Sequence, residues 1–129
     1  RNIPPFSTLY KDYTHLKQVY LKGVKNNIIA DDLFVKELRD ERGRSYFRAI
    51  ISDSKLKATS PWTANQKSEL IDVFKNNPNK KYIEFEVRSD KLPINSPIKK
   101  TDKIRIYRED VYKIISEGDN IKIPPIQMF

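Results

Sequence analysis

Apolar side chains recur at helical spacing near the start of the chain. The intervals between them are four, three, four and four positions, for Leu9, Tyr13, Leu16, Tyr20 and Val24. Residues at these spacings share one face of an α-helix, and Ser7 or Thr8 is a suitable N-cap. The pattern therefore predicts a first helix that buries this face and ends at Asn26-Asn27.

Two runs typical of β-strands follow, over residues 33–38 and 44–52. The segment between them, 40–43, is polar and ends in Gly43, which can adopt a positive φ. These features predict a β-hairpin. In its second arm two sets of side chains alternate, Tyr46, Arg48 and Ile50 against Phe47, Ala49 and Ile51. One face of this arm is therefore expected to display Tyr and Arg and the other to be apolar, and either face could be the buried one.

A second helix is predicted after a polar connection over residues 55–60. It starts either at Ser60-Pro61 or at Thr63-Ala64-Asn65-Gln66, which spells a capping box, and Asn76-Asn77-Pro78 ends it. Its buried side is supplied by Leu70, Ile71, Val73 and Phe74. The single tryptophan, Trp62, is expected to pack at the helix start as part of a hydrophobic staple, with base stacking as the alternative role.

The remaining third of the chain contains further strand patterns. Residues 82–88 alternate regularly, with Ile83, Phe85 and Val87 on one side. A proline-rich loop over 92–97 separates them from a second alternating strand, 103–107. Residues 109–116 are predicted to form a short helix closed by Gly118, with a continuation of the strand as the alternative, and 121–123 a possible final strand.

Together these elements predict an α+β fold. We expect a single domain over residues 1–129, with a small antiparallel or mixed sheet, made of the hairpin and two later strands, packed with two to three helices. The chain of 129 residues is long enough for one hydrophobic core and short for two. It begins without Met and has Pro-containing segments near both ends, so we also expect it to be part of a longer protein.

Composition argues against several classes of chemistry. The chain has no cysteine, one histidine (His15) and three isolated glycines. Thiol chemistry, two-histidine metal centres and glycine-rich phosphate loops are therefore not expected. We predict no cofactor and no metal. No apolar run is long enough to cross a bilayer, so we expect no membrane association and an intracellular location.

A formal net charge of +8 favours polyanionic partners. Cations and tyrosines concentrate in two stretches of the sequence. The first contains Arg39, Arg42, Arg44, Tyr46, Arg48, Lys55 and Lys57. The second contains Lys99, Lys100, Lys103, Arg105, Tyr107 and Arg108. Phosphates bind cations and unstacked bases bind aromatic rings. We therefore predict a non-catalytic domain that binds RNA or DNA, with Tyr46, Trp62 or Tyr107 as stacking residues.

Neighbouring acids permit a simpler interpretation, in which they pair with these cations and leave an ordinary solvated face. They are Glu37, Asp40, Glu41, Asp102, Glu109 and Asp110.

Two alternative functions remain open at the level of sequence. A metal-independent RNase-type toxin needs only a base such as Glu84 or His15 and cations for the phosphorane charge, for which Arg48, Lys81 or Arg88 would serve. The second is a protein- or peptide-interaction module of a larger assembly. The run 43–50 has the general look of the second strand of a small Tudor-like barrel, although it is short and no aromatic cage accompanies it.

Overall fold

The computed structural model describes residues 12–55, 61–117, 120–121 and 126–129. This part of the chain is mostly β-structure. Its strands are β1 (Thr14–Lys22), β2 (Asn27–Arg39), β3 (Ser45–Lys55), β4 (Tyr82–Val87), β5 (Lys103–Tyr107), β6 (Val111–Glu117), β7 (Asn120–Ile121) and β8 (Ile126–Gln127). One helical segment, α1, covers residues 64–76 and contains a π-helical stretch at Lys67–Ile71.

Five of the strands close into a barrel. Strand β1 pairs antiparallel with β2, and β2 pairs antiparallel with β3. Strand β3 pairs in parallel with β5, β5 antiparallel with β4, and β4 antiparallel with β1. The ring of strands therefore runs β1-β2-β3-β5-β4 and returns to β1. In the sequence, α1 connects β3 to β4. The ring resembles the OB fold, a five-stranded Greek-key barrel.

The remaining strands extend the barrel on one side. Strand β6 continues along β3 beyond the end of β5 and pairs with it in parallel, from Ile51 opposite Val111 to Lys55 opposite Ile115. Strands β7 and β8 both pair antiparallel with β6. A 3-10 turn at Arg108–Asp110 links β5 to β6, so that the two strands share β3 as a neighbour.

The barrel interior is filled by alternate residues of its strands. On β4 the inward residues are Ile83, Phe85 and Val87, and on β5 they are Ile104 and Ile106. Leu70 and Phe74 of α1 join the same core and have no exposed surface. A β-strand presents every second side chain to one face, so the outward residues of these strands form the outer wall of the barrel.

The predicted first helix is wrong, because Thr14–Lys22 is strand β1. Leu16, Val19 and Leu21 are buried, while Tyr20 is 49% and Val24 89% exposed. The inward alternation changes phase at Gln18, which has a φ of 53°, so Leu16 and Val19 face inward at a spacing of three. A spacing of three is also typical of one face of a helix, which explains the wrong prediction. The cap and start of the predicted helix, Ser7, Thr8 and Leu9, lie outside the described residues.

The bend in β1 is matched on its partner strand. Inward positions on β2 are Ile28 and Ala30 before the bend and Leu33 after it. Asp31 lies between these two sets and accepts a hydrogen bond of 3.4 Å from the side chain of Gln18. The two strands therefore kink at the same level, which is the bend that a closed barrel of long strands needs.

The predicted short helix over 109–116 is also wrong, since Val111–Glu117 is β6. Val111, Tyr112 and Ile114 are all buried, and parallel pairing with β3 supplies their backbone partners. The α+β prediction with two to three helices fails for the same reason. The described part of the chain contains one helical segment of 13 residues on a mixed sheet. Of the predicted final strand 121–123, Ile121 belongs to β7 and the rest lies outside the described residues.

Several local predictions are confirmed. Strands β2 and β3 form the predicted hairpin, and Gly43 in its turn has a φ of 78°. The capping box at the start of α1 is present, with the Thr63 side chain accepting from the Gln66 amide. Strands β4 and β5 form where they were predicted, and residues 92–97 are not in a strand.

Candidate nucleic-acid interface

The two cationic stretches of the sequence meet on the outer wall of the barrel. Parallel pairing of β3 with β5 sets Phe47 opposite Ile104 and Arg48 opposite Arg105. Because Phe47 and Ile104 face the interior, the residues on either side of them face outward. The pairing therefore brings the β2–β3 turn and Tyr46 to the same end of the barrel as Arg105 and Tyr107.

These residues line an open cleft of about 460 Å³, which we call the arginine cleft. Its lining contains four arginines, two tyrosines and two acids. They are Arg39, Arg42, Arg44, Arg105, Tyr46, Tyr107, Asp40 and Glu41. Four guanidinium groups against two carboxylates leave the cleft positively charged, so it favours an anionic ligand.

One of the two acids is engaged by the turn itself. The Asp40 carboxylate accepts hydrogen bonds of 2.9 Å from the backbone amides of both Arg42 and Arg44. The amide of Arg44 makes the largest contribution to holding the pKa of Asp40 below its usual value. Arg39 donates to the carbonyl oxygen of Gly43 at 2.8 Å. The turn is thus fixed by its own hydrogen bonds, and the exposed side chains of Arg42 and Arg44 project from a defined backbone.

Arg105 lies between two aromatic rings. Its guanidinium carbon is 4.4 Å from the ring centre of Tyr46 and 4.6 Å from that of Tyr82. The centre of a third ring, that of Tyr107, is 5.1 Å from the centre of the Tyr82 ring. The Tyr107 hydroxyl accepts a hydrogen bond of 3.4 Å from Arg105. Burial raises the pKa of the Tyr46 phenol, and its hydrogen bond with Tyr107 raises it further. The three tyrosines and Arg105 therefore form one packed cluster beside the turn.

Tyr82 is a site residue that the sequence analysis missed. The sequence placed it in a regular strand, on the side opposite Ile83, Phe85 and Val87, with no indication of a partner. The register of β4 on β5 sets Tyr82 opposite Tyr107. Two tyrosines at outward positions of adjacent antiparallel strands are the signal that could have identified this pair, but the pairing of those strands is itself a tertiary feature.

Arg48 and Arg108, both predicted to bind nucleic acid, have partners within the fold. Arg48 donates two hydrogen bonds, of 2.7 and 2.8 Å, to the carboxylate of Asp110, which has no exposed surface. Arg108 donates to three backbone carbonyls at the end of α1 and before β4, and its guanidinium carbon is 5.0 Å from the ring centre of Phe74. Both side chains anchor parts of the fold to each other.

The other predicted site residues lie away from the arginine cleft. The ammonium of Lys55 is 3.3 Å from the Asp53 carboxylate and 5.4 Å from the centre of the Trp62 ring. Trp62 is partly buried and packs on the core, in agreement with its predicted packing role. Lys99, Lys100 and Lys103 are exposed in and after the β4–β5 loop, where Lys100 pairs with Asp90. Lys57 lies outside the described residues.

Of the residues considered for an RNase, Glu84 and Arg48 flank Arg105 in one row across β4, β5 and β3, while His15 lies on β1. His15 lies on β1 opposite Phe34 of β2, stacks on that ring, and has its Nε2 2.6 Å from an Asp32 oxygen. Glu84 lies on β4 opposite Arg105 of β5. Arg88, another cation considered for the reaction, pairs with Glu86.

Neither metal ligands nor a membrane-spanning element can be identified within the described residues. That part of the chain holds no group of three or more His, Asp or Glu side chains placed to share a metal ion. It also holds no helix long and apolar enough to cross a membrane. Comparisons of the chain with protein-family models, with curated proteins and with solved structures returned no match.

Proposed function

We propose that this domain binds single-stranded nucleic acid and that the arginine cleft holds the sugar-phosphate backbone. One observation carries the proposal. The β3–β5 pairing brings Arg105, about 60 residues away in sequence, beside three arginines of the β2–β3 turn, so that one cleft holds four arginines. A phosphate chain is held best by several cations in one groove. A basic surface with evenly spread charge would not concentrate four arginines in this way.

The size of the cleft favours a single strand. Its volume of about 460 Å³ is in the range of pockets that hold one drug-sized ligand, which is roughly the size of one nucleotide. A strand can place one nucleotide in such a cleft at a time, while the stacked bases of a duplex keep its backbone at the outside of a wide cylinder. The barrel architecture also favours nucleic-acid binding, since OB folds bind oligonucleotides or oligosaccharides. A fold does not determine a function, however, so the cleft is the main support for the proposal.

Fluorescence anisotropy tests the proposal with labelled single- and double-stranded RNA and DNA, at low and near-physiological salt. We expect a single-stranded probe to bind more tightly than its duplex. The double variant Arg42→Ala/Arg44→Ala should weaken binding by about tenfold or more and reduce the log–log salt slope by about 1.4, which corresponds to two lost phosphate contacts on a single strand.

A charge-matched control is available on α1, none of whose residues lines the cleft. The variant Lys67→Ala/Lys75→Ala removes two exposed cations and should change affinity by less than about twofold, because Lys67 loses only a surface pair with Asp72. Equal losses in the two double variants would show that binding reflects net charge alone. A gel of the recovered probe tests for cleavage, which the proposal does not predict. No binding at near-physiological salt would contradict the proposal and would favour a protein partner.

A further inference from the structure

We propose that Arg105 is a pre-oriented phosphate clamp, and that Tyr46 and Tyr82 are positioning residues that hold its guanidinium rather than stacking platforms for bases. The inference rests on the proposed function and makes it more specific. The arginine cleft would read the phosphate backbone of a single strand and tolerate any base sequence.

The ring contacts of the guanidinium carry this inference. Arg105 has one tyrosine ring 4.4 Å away and a second 4.6 Å away, both well inside the distance of about 6 Å over which a cation interacts with an aromatic ring. Rings at these distances favour contact with the faces of the planar guanidinium, which leaves its N–H edge to meet a ligand. One N–H group on that edge also donates to the Tyr107 hydroxyl at 3.4 Å. That edge offers paired donors whose spacing matches two oxygens of a phosphate.

The same packing limits what the tyrosines can do for a base. The sides of Tyr46 and Tyr82 that face Arg105 are covered by its guanidinium. A base could enter between these rings only by displacing Arg105, which would separate a cation from two favourable aromatic contacts. The stacking role that the sequence suggested for Tyr46 is therefore replaced by one in which its ring fixes a cation.

Rigid elements hold the clamp in place before any ligand arrives. Tyr46, Arg105 and Tyr82 lie on three neighbouring strands of the closed barrel, β3, β5 and β4. A free arginine side chain loses considerable rotamer freedom on binding, and ordering it in advance removes part of that cost from the binding step. Glu84 lies opposite Arg105 in register, yet the ion pairs found among the described residues do not include this pair, so the N–H edge is not taken by that carboxylate.

Two probes separate phosphate reading from base reading. One is a labelled oligothymidylate of about 12 nucleotides, a length within the range that one OB fold covers. The other has the same length and charge but carries abasic sites in place of every base. We expect wild-type protein to bind the two probes within about threefold of each other, because the contacts are to phosphates.

A series of variants tests the clamp itself. Arg105→Lys keeps the charge but loses the planar, paired donors, and should weaken binding to both probes by about five- to tenfold. Tyr82→Leu should weaken both probes by about three- to fivefold, and Tyr82→Phe, which keeps the ring, should stay within about twofold of wild type. In an Arg105→Lys background Tyr82→Leu should have almost no further effect, because the ring acts through the guanidinium. Thermal unfolding of every variant confirms that the barrel is intact.

Several results would overturn the inference without touching the proposed function. They are a loss of more than about threefold on the abasic probe, an effect of Tyr82→Leu confined to the probe that has bases, or multiplicative effects of Tyr82→Leu and Arg105→Lys. Each would mean that the rings contact bases directly. If wild-type protein bound neither probe, the proposed function would fail together with the clamp.

Discussion

Arg48→Ala should destabilise the domain strongly. Asp110 is fully buried and receives two short hydrogen bonds from Arg48, so the variant leaves a buried carboxylate without its cation. Breaking a buried ion pair in this way costs about 3–5 kcal/mol, a large part of the roughly 5–15 kcal/mol that stabilises a typical domain. For a chain of this size the midpoint of thermal unfolding should fall by about 10–20 °C.

The partner variant Asp110→Asn supplies a matched control. It removes the buried charge and leaves Arg48, whose side chain is 28% exposed, able to reach water. We expect a smaller loss, of about 1–2 kcal/mol. Urea denaturation followed by circular dichroism measures both variants. A loss below about 1 kcal/mol for Arg48→Ala, or a larger loss for Asp110→Asn than for Arg48→Ala, would refute the reasoning.

The pH dependence gives a second check on the same pair. Burial raises the pKa of Asp110, although Arg48 acts in the opposite direction. Without Arg48 the pKa should rise further. A carboxyl whose pKa is raised in the folded state favours folding at low pH, and that contribution is lost as the pH rises through the folded pKa. The stability deficit of Arg48→Ala should therefore be smaller at pH 4 than at pH 7.

Two further predictions concern other buried carboxylates. Glu69→Ala should lower the free energy of unfolding by about 2–4 kcal/mol in chemical denaturation. The buried carboxylate accepts hydrogen bonds from the backbone amides of Val24, Lys25 and Asn26 and so anchors the β1–β2 loop to α1. A loss below about 1 kcal/mol would contradict this anchoring role. Burial raises the pKa of Asp53, so its carboxyl stabilises the folded state at low pH and this stabilisation is lost as the pH rises. The variant Asp53→Asn has no such carboxyl, so its stability relative to wild type should increase from pH 4 to pH 7. Urea denaturation at the two pH values checks this, and a constant difference would count against it.

Local signals predicted those elements whose partners lie nearby in the sequence. The hairpin followed from the turn ending in Gly43, and the start of α1 from its capping box, because both are fixed by backbone conformation within a few residues. Strands β4 and β5 alternate without interruption, so their period of two was unambiguous. The predicted first helix, ending at Asn26-Asn27, and the predicted short helix over 109–116 were wrong, since the bend at Gln18 hid the alternation of β1 and parallel pairing buried consecutive residues of β6.

The candidate site could be predicted only in part. Sequence identified Arg42, Arg44, Tyr46, Arg105 and Tyr107 as residues that could bind phosphate or bases. It could not separate them from Arg48 and Arg108, because the partners that engage those two side chains are a buried carboxylate and backbone carbonyls supplied by the tertiary fold. The clamp around Arg105 depends on strand pairing across β3, β5 and β4, which residue order alone does not specify.

An NMR titration tests the central claim most directly. Uniformly labelled domain is titrated with unlabelled oligothymidylate at near-physiological salt, and the amide shifts are mapped onto the barrel. We predict that the shifts saturate and concentrate on the β2–β3 turn and the adjoining ends of β3 and β5, residues 39–46 and 103–107. Shifts confined to α1 or to the β4–β5 loop, or the absence of any saturable shift, would contradict the assignment of the arginine cleft as a nucleic-acid site.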